Sequence, residues 1–377
     1  MDFVKIKDLY KIKKGKKIEQ IDEYVEDAIR CIQIDDLRNN DNIKYCIDNG
    51  KHVLINENDI VIAWDGANAG TIGYGLKGAI GSTLAVLTTS NKNFDTEYCG
   101  LFLKSKFKYL RDTCNGATIP HVSKTALEEL GIPNIDLQSQ KKISKTIKSV
   151  QVLIDKRKYQ IELLDDLVKS KFIEMFGDPF INPKGWDIKC YEDICNCITD
   201  GEHSTPRRCE SGIYLLSARN VLNHSLQLKD VDFIDEEEYE RIAKRIVPEE
   251  NDILISCSGS VGRVCKVPKD IKFQMVRSVA ILKLNSNINS TFMEWLIDSN
   301  YTQKQILKSI NQSSQANLFQ GKIRKLKAII PPIELQNQFE DFVKQVDKLK
   351  FNIEESLKEL ENNFNSLMQK AFKGELF

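Results

Sequence analysis

Two stretches of this 377-residue chain repeat apolar positions at helical intervals, and the two stretches preceding them alternate apolar and polar positions between turn residues. In the first helical stretch Ile143, Ile147, Val150, Ile154, Ile161, Leu164, Val168 and Met175 are spaced by 4, 3, 4, 7, 3, 4 and 7. In the second, Leu335, Phe339, Phe342, Val346, Leu349, Ile353, Leu357, Leu360, Phe364, Leu367 and Ala371 follow at 4, 3, 4, 3, 4, 4, 3, 4, 3 and 4. These spacings predict coiled-coil seams, although the buried face of an ordinary helix carries the same stripe. Length weighs toward pairing, because ~38 residues at 1.5 Å each make a rod of about 57 Å. Charge points the same way. Residues 138–175 hold 9 Lys+Arg and 5 Asp+Glu, whereas residues 334–377 hold 6 and 9. Pro133 and Pro331-Pro332 precede the helices and Gly177-Asp178-Pro179 closes the first, as helix boundaries should.

The β-rich stretches repeat as well. Glu57-Asn58-Asp59-Ile60-Val61-Ile62 recurs as Glu250-Asn251-Asp252-Ile253-Leu254-Ile255, and Ile132-Pro133-Asn134-Ile135-Asp136-Leu137-Gln138 recurs as Ile330-Pro331-Pro332-Ile333-Glu334-Leu335-Gln336. The offsets are 193 and 198, a drift expected from small loop insertions. The chain is therefore read as an α+β tandem duplication: a β-rich domain at 1–137, a central helix at 138–176, a second β-rich domain at 177–333 and a C-terminal helix at 334–377. By pseudo-symmetry the helices pair antiparallel.

Composition narrows the chemistry. With 54 Lys+Arg against 54 Asp+Glu, 41% hydrophobic residues and no run of ~20 apolar residues, the sequence predicts a soluble, cytoplasmic protein without a membrane partner. Ten Cys without an even ladder of spacings suggest reduced thiols. No phosphate-cradling G-x-x-x-x-G-K-[ST] loop, H-E-x-x-H or C-x-x-C is present, so no catalytic residue and no metal site is assigned. The nearest approach to a zinc site, Cys190, Cys195, Cys197, His203 and Cys209, has spacings that suit free thiols better.

Binding chemistry is better represented. Lys13, Lys14, Lys16 and Lys17 could grip a phosphate backbone or simply form a solvated run. At the matching place of the second copy stand His203, Ser204, Thr205, Arg207 and Arg208, which pair short hydroxyls with guanidinium forks suited to phosphate or guanine. Small-residue loops bring Asp65 and Asn68 in the first copy and Ser258, Ser260 and Arg263 in the second close to any ligand; a plain hairpin turn is the alternative. Polar turns near the end of each domain add Thr118 and His121, and Gln315 and Asn317.

The order of parts, the closing Phe172-Ile173-Glu174-Met175-Phe176-Gly177-Asp178-Pro179, the final Lys370-Ala371-Phe372-Lys373-Gly374-Glu375-Leu376, and the segments Asp200-Gly201-x-His203-x-Thr205-Pro206 and Ser217-Ala218-Arg219-Asn220-Val221 resemble the specificity subunit of type I restriction-modification enzymes. The resemblance covers both repeats and adds Arg219 and Asn220 to the candidate DNA contacts. It implies a non-catalytic subunit whose two target recognition domains read the halves of a bipartite, asymmetric site in double-stranded DNA. Two methyltransferase subunits would dock on it and use S-adenosylmethionine, and restriction subunits, where present, would use ATP and magnesium; this chain itself would bind no cofactor. A methylation-only or other phage-defence system would employ the same subunit. A coiled-coil adaptor that does not bind DNA is the reading from a different class.

Overall fold

The structure, a computed structural model, describes residues 2–116, 118–310, 317–373 and 375–376. Contacts group the chain into two compact units, one of residues 1–158 with 355–377 and the other of residues 159–354. The division runs through the middle of both long helices, the central one at Leu137–Phe176 and the C-terminal one at Ile333–Lys373.

In the first unit the short strands Phe3–Lys5 and Gly131–Pro133 pair antiparallel. A four-stranded antiparallel sheet then runs in the order Lys11–Lys14, Leu84–Thr88, Ile60–Ala63, Ile72–Tyr74. Its central strand, Ile-Val-Ile-Ala, is buried on both faces, which explains a continuous apolar run instead of alternation. Ile60 and Ile62 enter a core with Tyr98, Phe102, Ile143 and Ile147, while Val61 and Ala63 enter another with Ile32, Leu37 and Val86. Behind the second core lies a sheet ordered Lys44–Ile47, Ala28–Ile32, Gly78–Ile80, Val53–Ile55.

The second unit rebuilds this plan. Asp187–Cys190 pairs Lys327–Ile330, and a four-stranded sheet runs Cys195–Asp200, Val279–Leu284, Ile253–Ser256, Val264–Lys266. Again alternate residues divide between two cores, Ile253 and Ile255 to one, Leu254 to the other. The outer sheet has three strands, Asp232–Ile234, Ile213–Leu216 and Phe273–Met275; a hairpin, Val221–Leu222 with Ser225–Leu226, and a helix, Glu236–Ala243, are added.

Each unit holds its stretch of the two helices antiparallel. In the first, Ile143 and Ile147 share a core with Met368, Ala371 and Phe372, and Lys158 Nζ lies 2.9 Å from Glu361. In the second, Phe172 and Phe176 meet Phe339 and Phe292 at ring separations of 4.8–5.7 Å, and Lys350 donates to Asp165 at 2.6 Å. One seam position departs from expectation. Leu349 is 54% exposed, while Val343, outside the predicted spacing, is buried. No helix among the described residues is long and apolar enough to cross a membrane.

The duplication is visible in buried polar groups. Asp59 accepts from the Asn56 amide and Asp252 from the Glu249 amide, an offset of 193 for both partners. Gln140 and Gln336, both fully buried, lock the helix starts. Gln140 accepts from the Asp95 amide and donates to the Asn93 and Ile135 carbonyls; Gln336 accepts from the Asn289 amide and donates to the Asn287 and Pro331 carbonyls. The structural offset here is 196. The Ile-Pro match at 198 is therefore two residues out of register, because the strings agree by coincidence while the buried amide fixes the equivalence.

Candidate nucleic-acid interface

Strand register decides where the candidate residues go. In the first unit Lys14 lies opposite Ala85 and Ala63 opposite Leu84, so the segments after Lys14, after Ala63 and before Leu84 leave one end of the sheet. The polar turn before Val122 docks there too, the Val122 amide donating to the Trp64 carbonyl and the Gly66 amide to the Pro120 carbonyl. In the second unit Asp200 lies opposite Ala280 and Ser256 opposite Val279, and the Leu318 amide donates to the Cys257 carbonyl. Loops thus leave the same end of each central sheet.

Equivalent glycines make these exits possible. Gly15 donates to the Leu84 carbonyl and Gly201 to the Val279 carbonyl. A Cβ on Gly15 would stand 2.2 Å from the Gly81 carbonyl oxygen, and one on Gly201 2.2 Å from that of Met275. Only glycine lets the first strand exit so close to its neighbour.

On this shared frame the side chains differ. In the first unit Lys14, Asp65 and His121 come together: Lys14 Nζ lies 2.5 Å from Asp65, whose other oxygen accepts from His121 Nδ1 at 2.6 Å. Burial disfavours the Asp65 carboxylate, but these two bonds outweigh it and hold its pKa below the ordinary range. Asn68 accepts from Arg38 at 2.7 Å. Arg111, beyond the candidate list, donates to the Gly66 carbonyl at 3.2 Å and pins the same loop. Lys13, Lys16 and Lys17 are exposed, and Lys13 lies within the strand Lys11–Lys14 instead of a loop; Thr118 is also exposed.

In the second unit Asp200 occupies the place of Lys14. It accepts from Arg245 at 2.8 Å, from His203 Nε2 at 3.0 Å and from Gln320; burial opposes its charge, and the bonds from His203 and Gln320 prevail to lower its pKa. Ser204 is held by Glu202 and Thr205 is exposed. Arg207 is bound to Asp235 and Glu237, Arg208 to Asp232, and Arg219 to Asp232, so carboxylates already occupy these three guanidiniums. Asn220 differs from the other candidates in its burial. It is fully buried, accepting from the Ser217 amide and donating to the Gln227 and Asp230 carbonyls, and so holds the loop that carries Arg219. Ser258 and Arg263 are half-buried and Ser260 is exposed beside the same sheet end, Asn317 adjoins it in sequence, and Gln315 lies outside the described residues. Among the described residues no group of three or more His, Cys, Asp or Glu is placed to hold a metal ion.

The sequence pattern of the type I restriction modification DNA specificity domain matches residues 1–163 and again 183–362. The chain belongs to that family. Specificity subunits are the non-catalytic members of type I systems, and this chain is similar to several along nearly its whole length. It is 27% identical over 367 residues to the type I restriction enzyme MjaVIII specificity subunit of Methanocaldococcus jannaschii, covering 92% of this chain and 86% of that protein. To the EcoBI specificity subunit of Escherichia coli it is 20% identical over 386 residues, covering 93% and 81%. In fold it resembles the type I S subunit from M. genitalium, with a TM-score of 0.59 at 18% identity over 98% of this chain and 96% of that one. A chain solved for complex assembly and conformational transition of the type I R-M system gives 0.62 at 16% identity over 100% and 98%.

Proposed function

We propose that this specificity subunit reads a bipartite, asymmetric site in double-stranded DNA, one half with each unit, inside a cytoplasmic complex with two methyltransferase subunits. The observation that carries this reading is the pair of equivalent sheet ends, built on a common scaffold but differently charged: Lys14 and Lys16 in one stand where Asp200 and Glu202 stand in the other, and Thr71 and Ser82 where Arg263 and Arg277 stand. Two copies of one reader with independent loops suit two unrelated half-sites. Phosphate contacts by exposed lysines such as Lys16 and Lys17 would orient DNA, and base-edge contacts would select it. The chain would bind no cofactor itself. Methylation with S-adenosylmethionine would belong to the docked subunits, and ATP with magnesium to a restriction subunit if the system has one.

The antiparallel helices would set the gap between half-sites. Inserting one heptad into each helix at matched positions keeps both seams in register and adds ~7 × 1.5 Å, about 10 Å. At ~3.4 Å per base pair this is roughly three base pairs. Selection from a spacer library, with the methyltransferase complex, should return the same half-sites separated by about two to four additional base pairs. An unchanged preferred spacer, in a variant shown to be folded and assembled, would remove the helices from that role.

A further inference from the structure

Of the chain's twelve arginines, all but Arg263 and Arg277 have a side-chain partner among the described residues. Both of these stand at the loop end of the second unit's central sheet. The Ser256 amide donates to the Arg263 carbonyl at 2.9 Å on one side of the strand Ile253–Ser256, and the Cys257 amide donates to the carbonyl of Ser278, next to Arg277, at 2.8 Å on the other.

Their backbones are fixed, while their guanidiniums have no partner among the described residues. The hydroxyl of the fully buried Ser256 donates to the Ser260 carbonyl at 2.6 Å and accepts from the Arg263 amide at 3.0 Å, which locks the loop 257–263. The Arg277 amide donates to the Glu202 carbonyl, the Val276 amide to the Leu216 carbonyl, and the Ser278 hydroxyl accepts from the Ala218 amide at 3.0 Å. A long donor on a rigid base is what direct readout requires, because ordering costs are met before DNA arrives. Two strand spacings separate the backbones by about 10 Å, which corresponds to about three base pairs along a groove. In the first unit the equivalent positions are Thr71 and Ser82, so this pair of cations is peculiar to the second.

We propose that Arg263 and Arg277 are the specificity-determining side chains of the second unit and that each reads a guanine through its O6 and N7 edge. The proposal rests on the DNA-reading assignment above. The arginines bound to Asp232, Asp235 and Glu237 shape the loops instead.

The test is target selection by the complex with its methyltransferase subunits, comparing the wild-type chain with Arg277→Lys and Arg263→Lys. Lysine keeps the charge and loses the fork. Each variant should lose preference for guanine at one position by about 5- to 150-fold, the two positions lying two to four base pairs apart in the same half-site, with the salt dependence of binding and the other half-site unchanged. An unaltered profile, or equal weakening at every position, would overturn the assignment while leaving the bipartite reading intact. A wild-type complex that selects no sequence would instead sink the bipartite reading.

Discussion

The two units solve the same architectural problem with opposite charge. At the strand exit the first unit places Lys14 against Asp65, followed by Lys16 and Lys17, and keeps the hydroxyls Thr71 and Ser82 beyond the central strand. The second places Asp200 and Glu202 at the exit and Arg263 and Arg277 beyond the strand. The difference extends to the packing face. Tyr74 lies over Gly100 in the first unit, where a Cβ would come within 2.2 Å of the ring, while in the second the equivalent Lys266 donates its amide to Glu294. What the units share is backbone geometry and buried amides; what differs is the charge at the strand exit and beyond the central strand. One surface can therefore change without disturbing the frame beneath it.

The comparison would break most visibly at the glycines. Gly15→Ala and Gly201→Ala should each cost about 3 kcal/mol or more, since the nearest atoms are backbone carbonyls that cannot swing away. Chemical denaturation measures both, and a cost below about 1 kcal/mol in either unit would mean that its strand exit is not built as its twin's is.

A second, milder probe is the glutamine pair. Gln140→Ala and Gln336→Ala each leave one amide and two carbonyls without their buried partner, for about 2–3 kcal/mol apiece. Closely matched losses would sharpen the equivalence at an offset of 196; a loss in only one would refute it.

The smallest effect tests a feature of the second unit. His224, at the tip of its hairpin, stacks on Trp295 at 4.1 Å and faces Glu294 and Asp298 at 3.5 and 3.3 Å. Burial would lower its pKa, but the bonds to Asp298 and Glu294 prevail and raise it to about 9. Because the folded value exceeds the unfolded one, the charged ring adds stability that is fully present below about pH 6.5 and is lost as pH rises through about 9. The wild-type chain should exceed His224→Asn by about 1–2 kcal/mol near pH 6, after allowance for partial exposure, and the gap should close toward pH 10. A gap independent of pH would assign the contribution to ring stacking.

Much of this architecture was legible in the residues. Asp59 and Asp252 stand in repeated strings because one carboxylate caps one turn in each unit, and the heptad stripes follow directly from helix geometry. Identity misled where it was not tied to a buried contact, as at Ile132-Pro133. Arg207 and Arg208 stand side by side in the sequence, yet the carboxylates that occupy them lie 24 to 30 residues away and no local pattern announces those pairs. Arg277 carries no local signal for the same reason: a single cation between Val276 and Ser278 gains its meaning from neighbours 20 and more residues distant.

The placement of Met368, Ala371 and Phe372 in the first unit's core carries a consequence for how the protein is made. The second unit is closed by residue 354, but the first, though its strands leave the ribosome earlier, waits for residues 355–377 to cover Tyr98 and Phe102. The first unit's core is thus completed only after the whole of the second unit has been synthesised, against the usual order in which amino-terminal domains fold first. A released chain ending at Glu354 should show the second unit resistant to proteolysis and the first still open.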